Sequence, residues 1–215
     1  MQAQAPCPLC GAPARELTNA QRDDPRYFRC EVCAMIHLDP SHRLSRDEER
    51  NRYLLHENDG NDSGYVNFLK RLADPMVERL SPGAYGLDFG CGPAPVLSEM
   101  LTAAGFPCAA YDPFFAPHES LLDERYDFIT CSEVAEHAHN PARMFALLHR
   151  MLAPGGILGA MTMFHPGEAA FADWWYRRDP THVCFYNEAT MRWIGEQHEW
   201  STEFPRPNVT IFIAG

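Results

Sequence analysis

Eight cysteines occur in this chain of 215 residues, and four of them are spaced to hold a metal. Cys7-Pro-Leu-Cys10-Gly and Cys30-Glu-Val-Cys33-Ala are two C-x2-C knuckles separated by 19 residues. Each knuckle turns sharply enough to aim two thiolates at one ion, and the spacing suits a tetrahedral all-cysteine zinc site. The competing reading is a set of buried or redox-active cysteines. A closed site of this kind stabilises a segment too small to fold on apolar burial alone, so its expected role is structural and independent of catalysis.

A second group is Leu87-Asp-Phe-Gly90-Cys-Gly92-Pro-Ala94, which follows a strand-like run and opens a helical pattern. Gly90 and Gly92 let the backbone approach a ligand, and the helix start offers free amides, as in nucleotide-binding turns. The D-x-G-x-G pattern alone is weak, and Ala94 stands where a third glycine would be. Asp112 strengthens it: 20 residues after Gly92, at the end of the next strand-like run, its carboxylate can accept both hydroxyls of a ribose. The alternatives are an Asp-Pro turn at Asp112 and a nicotinamide dinucleotide enzyme. An acid here disfavours a 2′-phosphorylated dinucleotide.

The third group is Glu133-Val-Ala-Glu136-His137, at the carboxyl end of a strand-like segment, where ligands sit in open α/β sheets. One helical turn would put Glu133, Glu136 and His137 at i, i+3 and i+4 on a common face. Two carboxylates and an imidazole suit Mg²⁺, Mn²⁺ or Zn²⁺. Against this, Glu133 can instead contact a cofactor, and His137 can cap the next helix. His139 and His149 read as exposed polar residues. Residues 171–178 join several large aromatics to Arg177 and Arg178, which suits either a flat or anionic acceptor or a packed lid.

At these residues the chain resembles the class I S-adenosylmethionine-dependent methyltransferases. Asp88-Phe-Gly90-Cys-Gly92 looks like their first motif and Asp112 like their ribose-binding acid. Tyr126-Asp-Phe-Ile-Thr-Cys-Ser-Glu-Val-Ala-Glu-His137 looks like the fourth-strand motif, and Leu152-Ala-Pro-Gly-Gly156 like the turn before strand five. Dehydrogenases do not share that ordered set. The resemblance implies S-adenosylmethionine as cofactor, contacted by Asp88, Gly90, Cys91, Gly92, Asp112, Ser132 and Glu133. The cysteine ribbon, with Cys33-Ala-Met-Ile-His-Leu-Asp-Pro40, also resembles the zinc-binding leader of some bacterial small-molecule and sugar methyltransferases.

The E-x-x-E-H arrangement resembles the metal site of ubiquinone-pathway O-methyltransferases and of small-RNA 2′-O-methyltransferases. It implies His182, in Asp179-Pro-Thr-His182, as a fourth ligand beside Glu133, Glu136 and His137. Without a metal, His137 or His182 would be the base that takes the acceptor's proton. No N-P-P-Y motif for exocyclic amines occurs, and Pro107-Cys108 lies in the wrong place for a cytosine nucleophile.

The elements that must position these groups follow from periodicity. Strand-like runs at 85–89, 108–111, 126–131, 157–163 and 209–213 alternate with helical patterns at 66–80, 95–104, 140–152 and 188–197. Pro75 is expected to kink or restart the first helix. Asn140 as N-cap and Pro141 at the first position start the clearest one, whose apolar face is Met144, Leu147, Leu148, Met151 and Leu152. Residues 39–61 are highly charged and end in Asn58-Asp59-Gly60-Asn61, a solvated helix closed by a turn. The predicted fold is α/β: a doubly wound, mostly parallel Rossmann-like sheet with helices on both faces, plus a small N-terminal zinc ribbon. The predicted units are the ribbon at 1–40, a linker and N-terminal helices at 41–83, and a cofactor-binding domain at 84–215.

Composition bounds the function. No apolar run reaches the roughly 18 residues of a membrane span, and no basic-then-apolar leader opens the chain, so a cytoplasmic enzyme is expected. A net charge of −11 disfavours nucleic acid as partner. O-methylation of a small-molecule acceptor is the favoured reaction. The rivals are 2′-O-methylation of RNA ends and a non-catalytic cofactor-binding module, the latter opposed by the intact glycines and Asp112. Acceptor identity and oligomeric state stay open.

Overall fold

A computed structural model describes residues 4–17, 25–54, 60 and 62–215. Of the turn expected at 58–61, all but Gly60 lies outside the described residues.

Four short strands, β1 (Gln4–Pro6), β2 (Pro13–Glu16), β3 (Tyr27–Cys30) and β4 (Ile36–Leu38), form an antiparallel ladder. One cysteine knuckle joins β1 to β2 and the other joins β3 to β4. The residue after each knuckle takes left-handed backbone, Gly11 at φ 74° and Ala34 at φ 61°. Glycine adopts that conformation freely, whereas alanine pays about 1–2 kcal/mol for it. A polar helix, α1 (Arg46–Tyr53), follows, closed at its start by a capping box of Ser45 and Glu48. Next comes α2 (Ser63–Val77), which buries Leu69, Leu72, Ala73 and Met76. Pro75 does not restart α2: it lies in the last turn, and the helix ends two residues later.

Beyond it the chain alternates β5 (Gly86–Phe89), α3 (Val96–Ala103), β6 (Cys108–Tyr111), β7 (Tyr126–Ser132), α4 (Pro141–Met151) and β8 (Leu152–Met161). It ends with the short α5 (Glu168–Phe171), the two-residue β9 (Cys184–Phe185), α6 (Glu188–Gln197), β10 (Trp200–Arg206) and β11 (Val209–Ala214). The main sheet has the order β10-β11-β8-β7-β5-β6. β6, β5, β7 and β8 run parallel, and β11 and β10 add to β8 as an antiparallel pair. The edge strand β10 was not foreseen from sequence. Its pairing with β11 shifts register between Glu203 and Arg206, around Pro205, which an edge strand tolerates.

Alternating side chains divide this sheet between two apolar layers. Phe128, Ile157, Met161, Val209 and Ile211 pack under α2 and α3, while Ile129, Cys131, Leu158, Ala160 and Phe212 pack under α4 and α6. Helices therefore cover both faces, as expected of a doubly wound fold. Chain order reverses at β5, which β6 and β7 flank, so the ligand crevice opens at its carboxyl end.

The ribbon does not stand apart from this core. β4 pairs with β9, Ile36 opposite Phe185 and His37 opposite Cys184. Leu17, Tyr27, Phe28, Met35 and Leu38 join the same apolar cluster as α4 and α6. Strands of three or four residues bury too little on their own, and they complete a core by leaning on the larger one.

Candidate active site

The turn after β5 is shaped by two glycines in left-handed backbone, Gly90 at φ 81° and Gly92 at φ 67°. Gly90 N–H donates to Tyr111 O at 2.7 Å, which binds the turn to the end of β6. A Cβ on Gly90 would lie 2.4 Å from Val134 Cγ2, so the loop after β7 packs directly on it. Asp112, next to β6, accepts from Gly92 N at 3.1 Å through one oxygen and from Phe114 N and Phe115 N through the other. Its carboxylate thus organises the loop and also lines the crevice.

Asp88, expected to contact cofactor, lies beneath the turn and does not face the crevice. It accepts from Thr130 Oγ1 at 2.8 Å, and burial pushes its carboxyl up to about 6. Its place is to support the loop from below. Cys91 does face the crevice, with a thiol that burial raises to about 12 and thus keeps neutral.

The crevice is a cleft of about 870 Å³. Gly90, Gly92 and Asp112 line it, as do Ser132, Glu133, His137 and His182. α4 contributes Asn140, Arg143, Met144 and Leu147, one helical face at i, i+3, i+4 and i+7. Met144 and Leu147, expected in the core, belong to that face, whereas Leu148 and Met151 are buried as expected, joined by Phe145.

The expected helical face of Glu133, Glu136 and His137 is not formed. Glu133 sits at φ 51°, its N–H donating to Met161 O at 2.7 Å, and only Ala135–His137 form a turn, of 3-10 type. Extension of the β7–β8 ladder to Glu133 takes its backbone out of the turn that carries the other two, though its carboxyl still meets Glu136 at the Tyr176 hydroxyl. The grouping that does form is Glu136, His137 and His182, with potential ligand atoms within 4.8 Å of one another. Glu133 is not part of it.

Both histidines are held by backbone. His137 Nδ1 lies 3.1 Å from Thr181 O, and His182 Nδ1 lies 2.7 Å from Tyr176 O. A carbonyl only accepts, so in each neutral ring Nδ1 carries the proton and Nε2 keeps a lone pair. Burial lowers the pKa of His182, which favours that neutral form.

Tyr176 is the residue that sequence reasoning missed. It is buried, and its hydroxyl bonds both Glu136 Oε1 and, at 3.0 Å, Glu133 Oε2. One phenolic proton cannot serve two carboxylates, so one carboxyl must itself carry a proton. Burial and the neighbouring Glu136 push Glu133 well above the carboxylate range, and burial raises Glu136 as well. Glu136 Oε2 is left buried without a hydrogen-bond partner. Sequence offered no signal for this contact, which spans some 40 residues; the aromatic run at 171–178 marked the neighbourhood only.

At the ribbon, Cys7 Sγ lies 3.6 Å from Cys33 Sγ, and Cys10 Sγ lies 3.4 Å from Cys30 Sγ. All four sulfurs fall within 4.8 Å of one another. Four thiolates about 2.3 Å from one zinc would stand roughly 3.8 Å apart, so the cluster fits such an ion without rearrangement. A hydrogen bond from Cys33 already lowers the Cys7 thiol well below the usual range. His139 is exposed and pairs with Glu49 at 2.6 Å, and His149 is exposed.

Comparison with known proteins agrees with this geometry. A family model described as a methyltransferase domain matches residues 61–202. The ubiquinone biosynthesis O-methyltransferase of Serratia proteamaculans (strain 568) is 31% identical over 85 residues, covering 40% of this chain and 35% of that protein. The chain thus spans about a third of the length of that curated relative. Among solved structures, a 1,6-didemethyltoxoflavin-N1-methyltransferase from Burkholderia thailandensis, with bound 1,6-didemethyltoxoflavin and S-adenosylhomocysteine, superposes with TM-score 0.55 at 13% identity. That match covers 89% of this chain and 96% of the other. A magnesium protoporphyrin IX methyltransferase from Synechocystis PCC 6803 gives 0.51 at 16% identity, covering 80% and 95%. At such identities the likeness is one of fold. Among the described residues, no helix is long and apolar enough to cross a membrane.

Proposed function

Because this chain belongs to the methyltransferase domain family, we propose that it transfers a methyl group from S-adenosylmethionine to a hydroxyl of a small molecule. The observation that carries the reading is one cleft lined both by Gly90, Gly92 and Asp112 and by His137 and His182, each with its Nδ1 held by a backbone carbonyl. When bound, S-adenosylmethionine supplies an electrophilic methyl carbon on a cationic sulfur. Asp112 offers its outward carboxylate edge to the ribose hydroxyls, while Gly90 and Gly92 allow close backbone approach. His137 or His182 accepts the proton of the acceptor hydroxyl at Nε2, in the neutral state that burial favours for His182. Tyr53, set edge-on to His137, and Trp175 narrow the cleft against water.

A divalent ion fits Glu136, His137 and His182. Glu136 has an unpartnered buried oxygen, and each imidazole has its Nδ1 anchored by a carbonyl, the outer-sphere arrangement usual for metal-binding histidines. Two imidazoles suit Mn²⁺ or Zn²⁺ better than Mg²⁺, which prefers oxygen. Such an ion would lower the pKa of a coordinated hydroxyl. Glu133, bonded to Tyr176 and outside the cluster of potential ligand atoms, is left out of the ligand set. A separate zinc is proposed at Cys7, Cys10, Cys30 and Cys33.

Calorimetry with S-adenosylmethionine and S-adenosylhomocysteine tests the cofactor, and Asp112→Ala should weaken both by roughly 1.5–3 kcal/mol. Methyl transfer to catechols and vicinal diols, with and without added Mn²⁺, tests the acceptor side. Glu136→Gln and His137→Ala are expected to abolish metal-dependent turnover. Full activity of both variants without added ion would remove the metal and leave His182 as the base. Tight binding of a nicotinamide dinucleotide, with no heat from either sulfur ligand, would overturn the whole reading.

A further inference from the structure

The walls of the cleft are not balanced in charge. Among the described residues its carboxylates are engaged: Glu49 with His139 at 2.6 Å, Asp112 with three backbone amides, and Glu133 with Tyr176. Asp179 accepts from Thr181 and faces Arg52 at 3.7 Å. Arg143 and Arg178 line the same cleft with no acidic partner among the described residues. In a chain of net charge −11, two unneutralised guanidiniums in one cleft mark a place for an anion.

The local backbone explains how they are presented. Trp175–Arg178 is a 3-10 turn, and three residues per turn put positions 175 and 178 on one side. Tyr176 turns inward to the glutamates, and Arg177 donates to Ala172 O and lies over the Tyr27 ring. The turn therefore hands the cleft an indole that is 61% exposed and a guanidinium beside it. On α4, Arg143 comes with Met144 and Leu147 on the same cleft-facing side.

These residues belong to a different part of the crevice from the cofactor cradle. Asp112 follows β6, whereas the 3-10 turn comes after β8, three strands along the sheet. We propose that the methyl acceptor is a flat ring bearing a carboxylate, stacked on Trp175 with its anionic group held by Arg178 and Arg143. The inference rests on the methyltransferase reading above. Arginine suits this task because its planar fork binds carboxylate bidentately.

The test uses protocatechuate, a catechol with a ring carboxylate, against its methyl ester. Both are titrated by calorimetry into the S-adenosylhomocysteine-loaded protein, and both are assayed for methyl transfer from S-adenosylmethionine. The acid should bind roughly tenfold or more tightly than the ester, and Arg178→Ala or Arg143→Ala should erase that preference. Trp175→Ala should weaken acid and ester alike, and affinity for S-adenosylhomocysteine should not change in any of the three variants. Equal binding of acid and ester by the wild type, or of neither, would overturn the proposal while cofactor binding left the parent reading standing. A loss of S-adenosylhomocysteine affinity in the arginine variants, with the acid preference intact, would overturn it too, by assigning the guanidiniums to the cofactor's own carboxylate. An arginine-dependent preference for the acid with no methyl transferred to either probe would support the recognition site and count against the transfer reaction.

Discussion

His182 is held by Tyr176 through the tyrosine's backbone: the imidazole Nδ1 donates to Tyr176 O at 2.7 Å, while the side chain of the same tyrosine bonds Glu136 and Glu133. The two functions are separable. Tyr176→Phe keeps the carbonyl and therefore the His182 tautomer, but leaves Glu136 Oε1 buried without a donor. The variant should unfold with about 1–3 kcal/mol less free energy in denaturant titration. Unchanged stability would show that the phenol is dispensable to the carboxyl pair.

Gly90 faces two separate obstacles to substitution, its backbone at φ 81° and the Val134 methyl 2.4 Å from any added Cβ. Gly90→Ala should weaken S-adenosylhomocysteine binding and lower stability by about 2 kcal/mol or more. Adding Val134→Ala should restore the steric part only, so the double variant should fall between Gly90→Ala and wild type. A double variant no better than Gly90→Ala would mean that backbone conformation alone sets the requirement.

The ribbon, expected from sequence to be independent of catalysis, is bonded to the site. Leu38 N donates to Val183 O, and Val183 N donates to Glu136 O, both near 2.9 Å. Elemental analysis should find one zinc per chain in the wild type and none bound at the ribbon of Cys30→Ser. In that variant, amide exchange at Val183 should accelerate along with exchange in the ribbon, and methyl transfer should fall. Retained protection at Val183 in a zinc-free ribbon would sever the link.

A third histidine, His165, joins the ribbon to the strand end. Its Nε2 donates to Ala34 O at 3.2 Å and its Nδ1 accepts from Gly167 N, so the buried ring is neutral, with its pKa lowered by burial to about 4. A histidine depressed from its ordinary 6.5 takes up a proton on unfolding. Its contribution is complete above 6.5 and is lost as pH falls toward 4. His165→Gln should therefore show a shallower decline of melting temperature over that window than wild type. Parallel curves would mean that His165 does not titrate on unfolding.

What sequence revealed and what it hid have different physical origins. The glycine turn, Asp112 and α4 with Asn140 and Pro141 were legible because each depends on neighbours a few residues away. Asn140 does accept from Arg143 N, and α4 begins at Pro141. The placement of Glu133 was not legible, because a bond to Met161 on another strand overrides the helical spacing of its own segment. Tyr176 and β9 were hidden for the same reason: both are defined by partners far along the chain. Met144 and Leu147 had core periodicity, but a ligand cleft accepts the same apolar face as a core does.

The two residues of β9 have a consequence for how the gene can be cut. A fragment trimmed to residues 61–215, which drops the ribbon alone among the strands, would keep Cys184 and Phe185 but remove the strand that covers their edge. Such a fragment would carry an open backbone edge beside Glu136 and should associate with itself instead of staying monodisperse. In chimaeras the ribbon and residues 181–186 must travel together, because each supplies backbone partners to the other.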